Sequence, residues 1–240
     1  MSTNGQESPN FDNSQKTEII HNLMQTAFEQ RDESWRDNFL KAIDGANLKL
    51  AQQEVVIGAD GFPYVQLETV KPSEGPHAFV INKQLPTLLE QGLGIVINVQ
   101  NNRADWAFSY GDIVNLELND EFYTDDSIFS RQQEIVSLSQ EEKVLIGQPS
   151  GSILPKYLRT HLREFLKHFG VETPKIMLLA RQYEDEKEVT QDLVFNFTPA
   201  RFANEEAFNE VMKTITWFLP RHYSFFCIEE KAIANGFEQI

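Results

Sequence analysis

The chain has 240 residues, room for one large domain or two of about 100–150 residues each. With 41% hydrophobic residues, including 18 Phe, 6 Tyr and 3 Trp, it can bury a sizeable core, which excludes global disorder. The net charge of −15, from 36 acidic and 21 basic residues, repels phosphate backbones and anionic lipid head groups, so no nucleic acid and no membrane surface is expected as a general partner.

Cys227 is the one cysteine, so neither an internal disulfide nor a multi-cysteine zinc site can form. The first fifteen residues are polar and lack the apolar centre of a secretory signal, and no apolar run approaches a bilayer's thickness. Cytoplasmic localisation is the expectation.

In chain order, residues 1–16 have the composition of a disordered tail, and residues 17–45 form a helical extension. Ile20, Leu23, Met24, Ala27 and Phe28 make one apolar stripe at helical spacing. Trp35, Phe39, Leu40 and Ile43 repeat it behind Asp32 and Ser34, and Gly45 offers a stop. Such a hairpin either packs on its own domain or serves as a partner-binding arm. Residues 46–140 read as a mixed sheet domain. Val55–Ile57, the turn Gly58–Gly61 and Phe62–Leu67 predict a hairpin. Short strands are predicted at Ala78–Ile81, Gly94–Asn98, Trp106–Tyr110 and Ile113–Leu118, with a helix over Leu85–Gln91 that has Pro86 in its first turn.

Residues 141–240 form a second unit with the order βαββαβ. Its strands are predicted at Val144–Pro149, Lys175–Ala180, Val189–Phe197 and Tyr223–Ile228. Helices are predicted after Pro155 and from about Asn204, and an acidic turn at Glu184–Glu188 joins the central strands. The fold class is α+β, two mixed α/β sheet domains behind an N-terminal helical extension.

The run Ile146-Gly147-Gln148-Pro149, the Leu154-Pro155 helix entry and the Leu219-Pro220-Arg221 junction resemble the C-terminal domain of the SseB family, named for enhanced serine sensitivity. Ala78-Phe79-Val80 and Gly94-Ile95-Val96-Ile97-Asn98 are similar to its N-terminal domain. The resemblance spans roughly Val55 to Ile228 and leaves the helical hairpin outside. It brings no settled reaction, cofactor or catalytic residue. SseB-like domains are also similar to proposed immunity factors of toxin systems, which implies a protein partner.

Chemistry-bearing motifs are scarce. Phosphate loops and nucleophile elbows are absent from the sequence, and the acidic clusters fall in turns and helix starts, where solvated faces explain them. Cys227 lies in an aromatic strand, a setting for a structural thiol. His161, Glu164 and His168 could be drawn as a metal set, but two turns of helix hold the rings about 10 Å apart along the axis. His77 and His222 read as edge residues. No catalytic residue, metal ligand or cofactor is expected.

Two features stand out. Residues 1–154 carry 10 basic and 23 acidic residues and residues 182–240 carry 5 against 11, while Pro155 to Arg181 carries 6 against 2. Lys156, Arg159, Arg163 and Lys167 lie along one helix edge, either paired internally or serving as an anion- or partner-binding stripe, including one for a second copy of this chain. If the stripe docks a partner, reversing Arg159 and Arg163 to Glu abolishes association and leaves stability intact. Trp106, Phe108 and Tyr110 alternate, so they share one side of their strand, as core or as an aromatic groove. The leading expectation is a non-enzymatic interaction or immunity-type protein, acting through a protein partner or as a homo-oligomer. The alternative is a small-molecule-binding protein or hydrolytic enzyme with its site between the two domains.

Overall fold

A computed structural model describes residues 13–72, 79–101, 103–129, 144–182, 189–233 and 235–240. The expectations for residues 1–12, His77 and the acidic turn Glu184–Glu188 lie outside these residues, whereas residues 13–16, expected as disordered tail, are the start of the first helix. The fold is α+β, with a four-stranded and a five-stranded sheet among the described residues. None of the described helices is long and apolar enough to cross a membrane. The chain divides into two compact units, residues 1–88 with 93–107, and residues 89–92 with 108–240.

In the first unit the helical hairpin forms as α1 (Asn13–Leu23) and α2 (Glu33–Ile43). Asp32 caps α2 by accepting the Trp35 N–H at 2.8 Å, and the Trp35 indole donates to the Leu23 carbonyl at 2.8 Å, satisfying an oxygen at the end of α1. The α2 face of Trp35, Phe39, Ala42 and Ile43 is buried, with Trp35 and Phe39 stacked at 5.1 Å and Trp106 against both. The hairpin is therefore part of its own unit's core. The apolar stripe runs past the helix, however: α1 stops at Leu23, and Phe28 stands in a single 3-10 turn, 48% exposed.

Strand β1 (Leu48–Ile57) pairs antiparallel with β2 (Pro63–Thr69) across the expected turn, in which Gly61 takes φ +86° and Asp60 accepts from the Phe62 N–H and the Tyr64 hydroxyl. A crossover through α3 (Ile81–Gln91) makes β3 (Gly94–Ile97) parallel to β2, and β4 (Trp106–Phe108) lies beside β3. Of the strand predicted at Ala78–Ile81, the described residues show an isolated bridge between Phe79 and Leu48, and α3 begins at Ile81, four residues before Leu85. Asn82 explains the early start. Its N–H and side chain both donate to Asp44, at 3.0 and 2.6 Å, and fix the first turn although Pro86 then sits inside the helix.

In the second unit the strand predicted at Ile113–Leu118 is instead helix α4 (Tyr110–Asn119). Ser109 and Asp112 form a reciprocal capping box, and residues 110–116 are all buried, the polar Asp112 and Asn115 included, so polarity in the sequence does not report the buried face and the alternation reads as a strand. The following elements keep the predicted βαββαβ order: β5 (Val144–Gly147), α5 (Lys156–His168), β6 (Lys175–Gln182), β7 (Val189–Phe195), α6 (Glu205–Phe218) and β8 (Phe225–Cys227). A short β9 (Glu238–Gln239) joins β6 on the same edge as β5. β6 and β7 are antiparallel, and β8 returns parallel to β7 after α6.

Helices α5 and α6 pack through Phe165 and Phe218, 5.4 Å apart, above the buried rows Leu158–Leu162–Leu166 and Val211–Ile215. Within the sheet Arg181 pairs with Asp192, both closed to solvent, and Ser224 donates to the same carboxylate at 2.7 Å.

Candidate functional site

The basic stripe of α5 is divided. Lys156 and Lys167 are exposed, but the other two cations are spent on backbone oxygens. Arg159 donates through Nε to the Leu154 carbonyl at 2.9 Å and through Nη2 to Pro149, holding the loop that enters the helix. Burial keeps its pKa below the ordinary arginine value, with Glu238 acting in the opposite direction. Arg163 donates to the Ile240 oxygen at 3.3 Å and pairs with Glu164 at 3.2 Å. The middle of the stripe thus fastens β9 and the helix entry to α5.

The three alternating aromatics do not line a groove. Trp106 belongs to the first unit's cluster with Trp35 and Phe39. Phe108 and Tyr110 are wholly buried in the second unit, Phe108 stacked on Phe122 at 4.0 Å and Tyr110 against Trp217 and Phe218. Phe108 and Tyr110, closed to solvent, offer no wall to a ligand, and the partly exposed Trp106 packs on Trp35 and Phe39.

His161, His222 and the thiol are likewise committed to packing. His161 donates from Nε2 to the Leu89 carbonyl at 3.0 Å and meets the Tyr110 ring edge-on, while His168 rests on Phe169. The His222 ring stands edge-on to Phe129 and Tyr223, its Nδ1 has no hydrogen-bond partner among the described residues, and burial lowers its pKa against the pull of Glu121. Burial pushes the Cys227 thiol up, away from the reactive thiolate. Asp112, wholly buried, receives Arg221 in two bonds of 2.7 and 2.9 Å, and Arg221 lies 4.1 Å from the Tyr123 ring centroid.

The arrangement left over for recognition is in the first unit. An open cleft of about 550 Å3 lies between the segment joining α1 to α2 and the loop joining β3 to β4, beyond the carboxyl end of a parallel strand. Its floor is a relay of polar contacts. Asn98, in the left-handed region at φ +51°, accepts from the Thr69 N–H at 2.8 Å and donates to Asp105 at 2.9 Å. Asp105 pairs with Arg31 at 2.8 Å, and Arg31 donates to the Thr26 carbonyl at 3.2 Å while lying 4.6 Å from the Trp35 ring centroid. Arg31, only 10% exposed, is thus a clasp between the two segments.

The rim is different. Gln100 and Arg103 exchange two backbone hydrogen bonds, of 2.8 and 2.9 Å, which closes a tight turn in which Asn101 has φ +51°. That turn lays the Arg103 guanidinium 3.8 Å from the centroid of the half-exposed Phe28 ring. Arg103 has no carboxylate partner among the described residues, and the side chains of Gln100 and Asn101 make no hydrogen bond there either. Three polar groups from one turn therefore face water beside an aromatic ring.

Comparison with protein-family models, with curated proteins and with solved structures gives no match for this chain. In the sequence, residues 99–105 carry no predicted element or site, and Phe28 falls within the helix stripe. The available signal was local: Asn98 and the Asn101-Asn102 pair are residues that accept left-handed turns, and Arg103 is an isolated cation in an acidic stretch.

Proposed function

We propose that this protein is a non-enzymatic interaction protein of the cytoplasm, of the SseB type, that engages a protein partner through the first unit's cleft. The observation that carries the reading is Arg103, an exposed guanidinium seated on an exposed aromatic ring at a cleft mouth, with no carboxylate partner among the described residues. A guanidinium held this way has lost side-chain freedom in advance, so less entropy is lost when a ligand arrives. The cleft lining supports binding over catalysis. Its one acidic group, Asp105, is engaged by Arg31 and Asn98, and it contains neither cysteine nor histidine. The SseB resemblance points the same way, since it implies a protein partner and no settled reaction.

The test is a photo-crosslinking amino acid at Asn101 in the full chain, expressed in its native cells, with the same group at exposed Lys213 as control. A discrete product is expected from position 101, with one partner recovered reproducibly by mass spectrometry and lost when Phe28→Ala and Arg103→Gln are added. Equal crosslinking at both positions would overturn the proposal.

A further inference from the structure

Resting on that reading, we infer that the cleft recognises a single carboxylate within a peptide segment, an Asp or Glu side chain gripped by Arg103. The side chains of Gln100, Asn101 and Arg103, which have no hydrogen-bond or carboxylate partner among the described residues, define what fits. A guanidinium presents its N–H groups in its own plane, at the edge. With Phe28 against its face at 3.8 Å, Arg103 has that edge available for the two-bond geometry that matches a carboxylate. Gln100 and Asn101 each offer one amide donor pair and one acceptor, the complement of a peptide group's C=O and N–H. A carboxylate flanked by peptide groups uses all three, whereas an isolated anion uses the arginine alone.

Charge fixes the number of carboxylates. At a net charge of −15 the protein repels an acidic run, and Arg31, the other cation of the cleft, is already neutralised by Asp105. One carboxylate therefore finds one cation of the cleft lining that is unpaired among the described residues. The ring holds Arg103 at the rim, while Asp105, the acidic residue of the cleft lining, is paired with Arg31.

The experiment is a nuclear magnetic resonance titration of the full chain, following the side-chain amides of Gln100 and Asn101 and the Arg103 Nε–H. The probes are N-acetyl-glutamate N-methylamide, its glutamine twin, and glutarate. The glutamate probe is expected to saturate at millimolar concentration, with shifts confined to this turn and the Phe28 ring. The glutamine twin and glutarate should each bind at least tenfold more weakly. Arg103→Gln should abolish the glutamate shifts, and Arg103→Lys should restore part of the affinity, because a point charge replaces a two-bond fork. The unperturbed remainder of each variant's spectrum shows that it is folded. Equal binding of the glutamate and glutamine probes overturns the inference, as does glutarate binding as tightly as the peptide-like probe, which would make this a site for small acids. A partner crosslinked from position 101 despite absent glutamate shifts would leave the interaction reading standing and remove only the carboxylate.

Discussion

Replacing Gly111 by alanine separates helix propensity from packing, because the two predict opposite signs. Gly111 is the second residue of α4, and in an unconstrained helix the change to alanine stabilises by up to about 1 kcal/mol. Here a Cβ would stand 2.0 Å from the Leu219 carbonyl oxygen, 2.4 Å from its carbon and 3.0 Å from the Pro220 nitrogen. All three are backbone atoms, so no side chain can swing aside. Ordinary contact begins near 3.4 Å, so α4 and the end of α6 must separate by about 1.4 Å. That movement pulls on Tyr110 and Trp217, whose rings stack at 5.9 Å, and on the buried Asp112 beside it. Overpacking of this kind costs roughly 3 kcal/mol, which leaves a net loss of about 2 kcal/mol after the propensity gain. In urea the midpoint for the second unit should fall by about 1 M at unchanged slope. Hydrogen exchange read by mass spectrometry should show the loss in peptides covering residues 108–129 and 205–228. A midpoint equal to or above that of the parent would refute the close-approach argument.

The α5 edge gives a second outcome. Arg159→Glu with Arg163→Glu removes donors to three backbone oxygens and places carboxylates beside them, so the melting temperature should fall by about 5–10 °C. An unchanged melting temperature would return the stripe to the docking role that its sequence spacing suggests. A third concerns pH. Burial lowers the His222 pKa in the fold, so the unfolded chain binds the proton more readily. The stability this gives is complete above the ordinary histidine pKa of about 6.5 and is lost as pH falls toward the folded value. Denaturant titrations at pH 7.5 and 5.5 should show a decline that is smaller in His222→Phe, and equal declines would remove His222 as a cause.

Local patterns carried much of the architecture. The α5 and α6 stripes, their proline, asparagine and glycine boundaries, and the Asp60-Gly61 turn each encode their element within a few residues, so the βαββαβ order and the hairpin were readable. Tertiary structure decided what periodicity cannot express. In α4 the polar Asp112 and Asn115 are buried with the apolar residues, so polarity does not mark the helix's outer face, and its capping box is a two-residue signal easily outweighed by alternation in Ile113–Leu118. The same holds for charge. Even spacing placed four cations on one edge of α5, but only the positions of Pro149, Leu154 and Ile240 in space determine that Arg159 and Arg163 turn inward. Conversely, Phe28 and Arg103 are 75 positions apart in the sequence, and no local pattern joins them. They meet because α1 ends early and a crossover through α3 brings the β3–β4 loop beside the turn that follows it. Composition by itself settled the acidic character of the chain, and only the fold set Arg103 against Phe28 at a cleft mouth, because side-chain neighbours are chosen by proximity in space rather than along the chain.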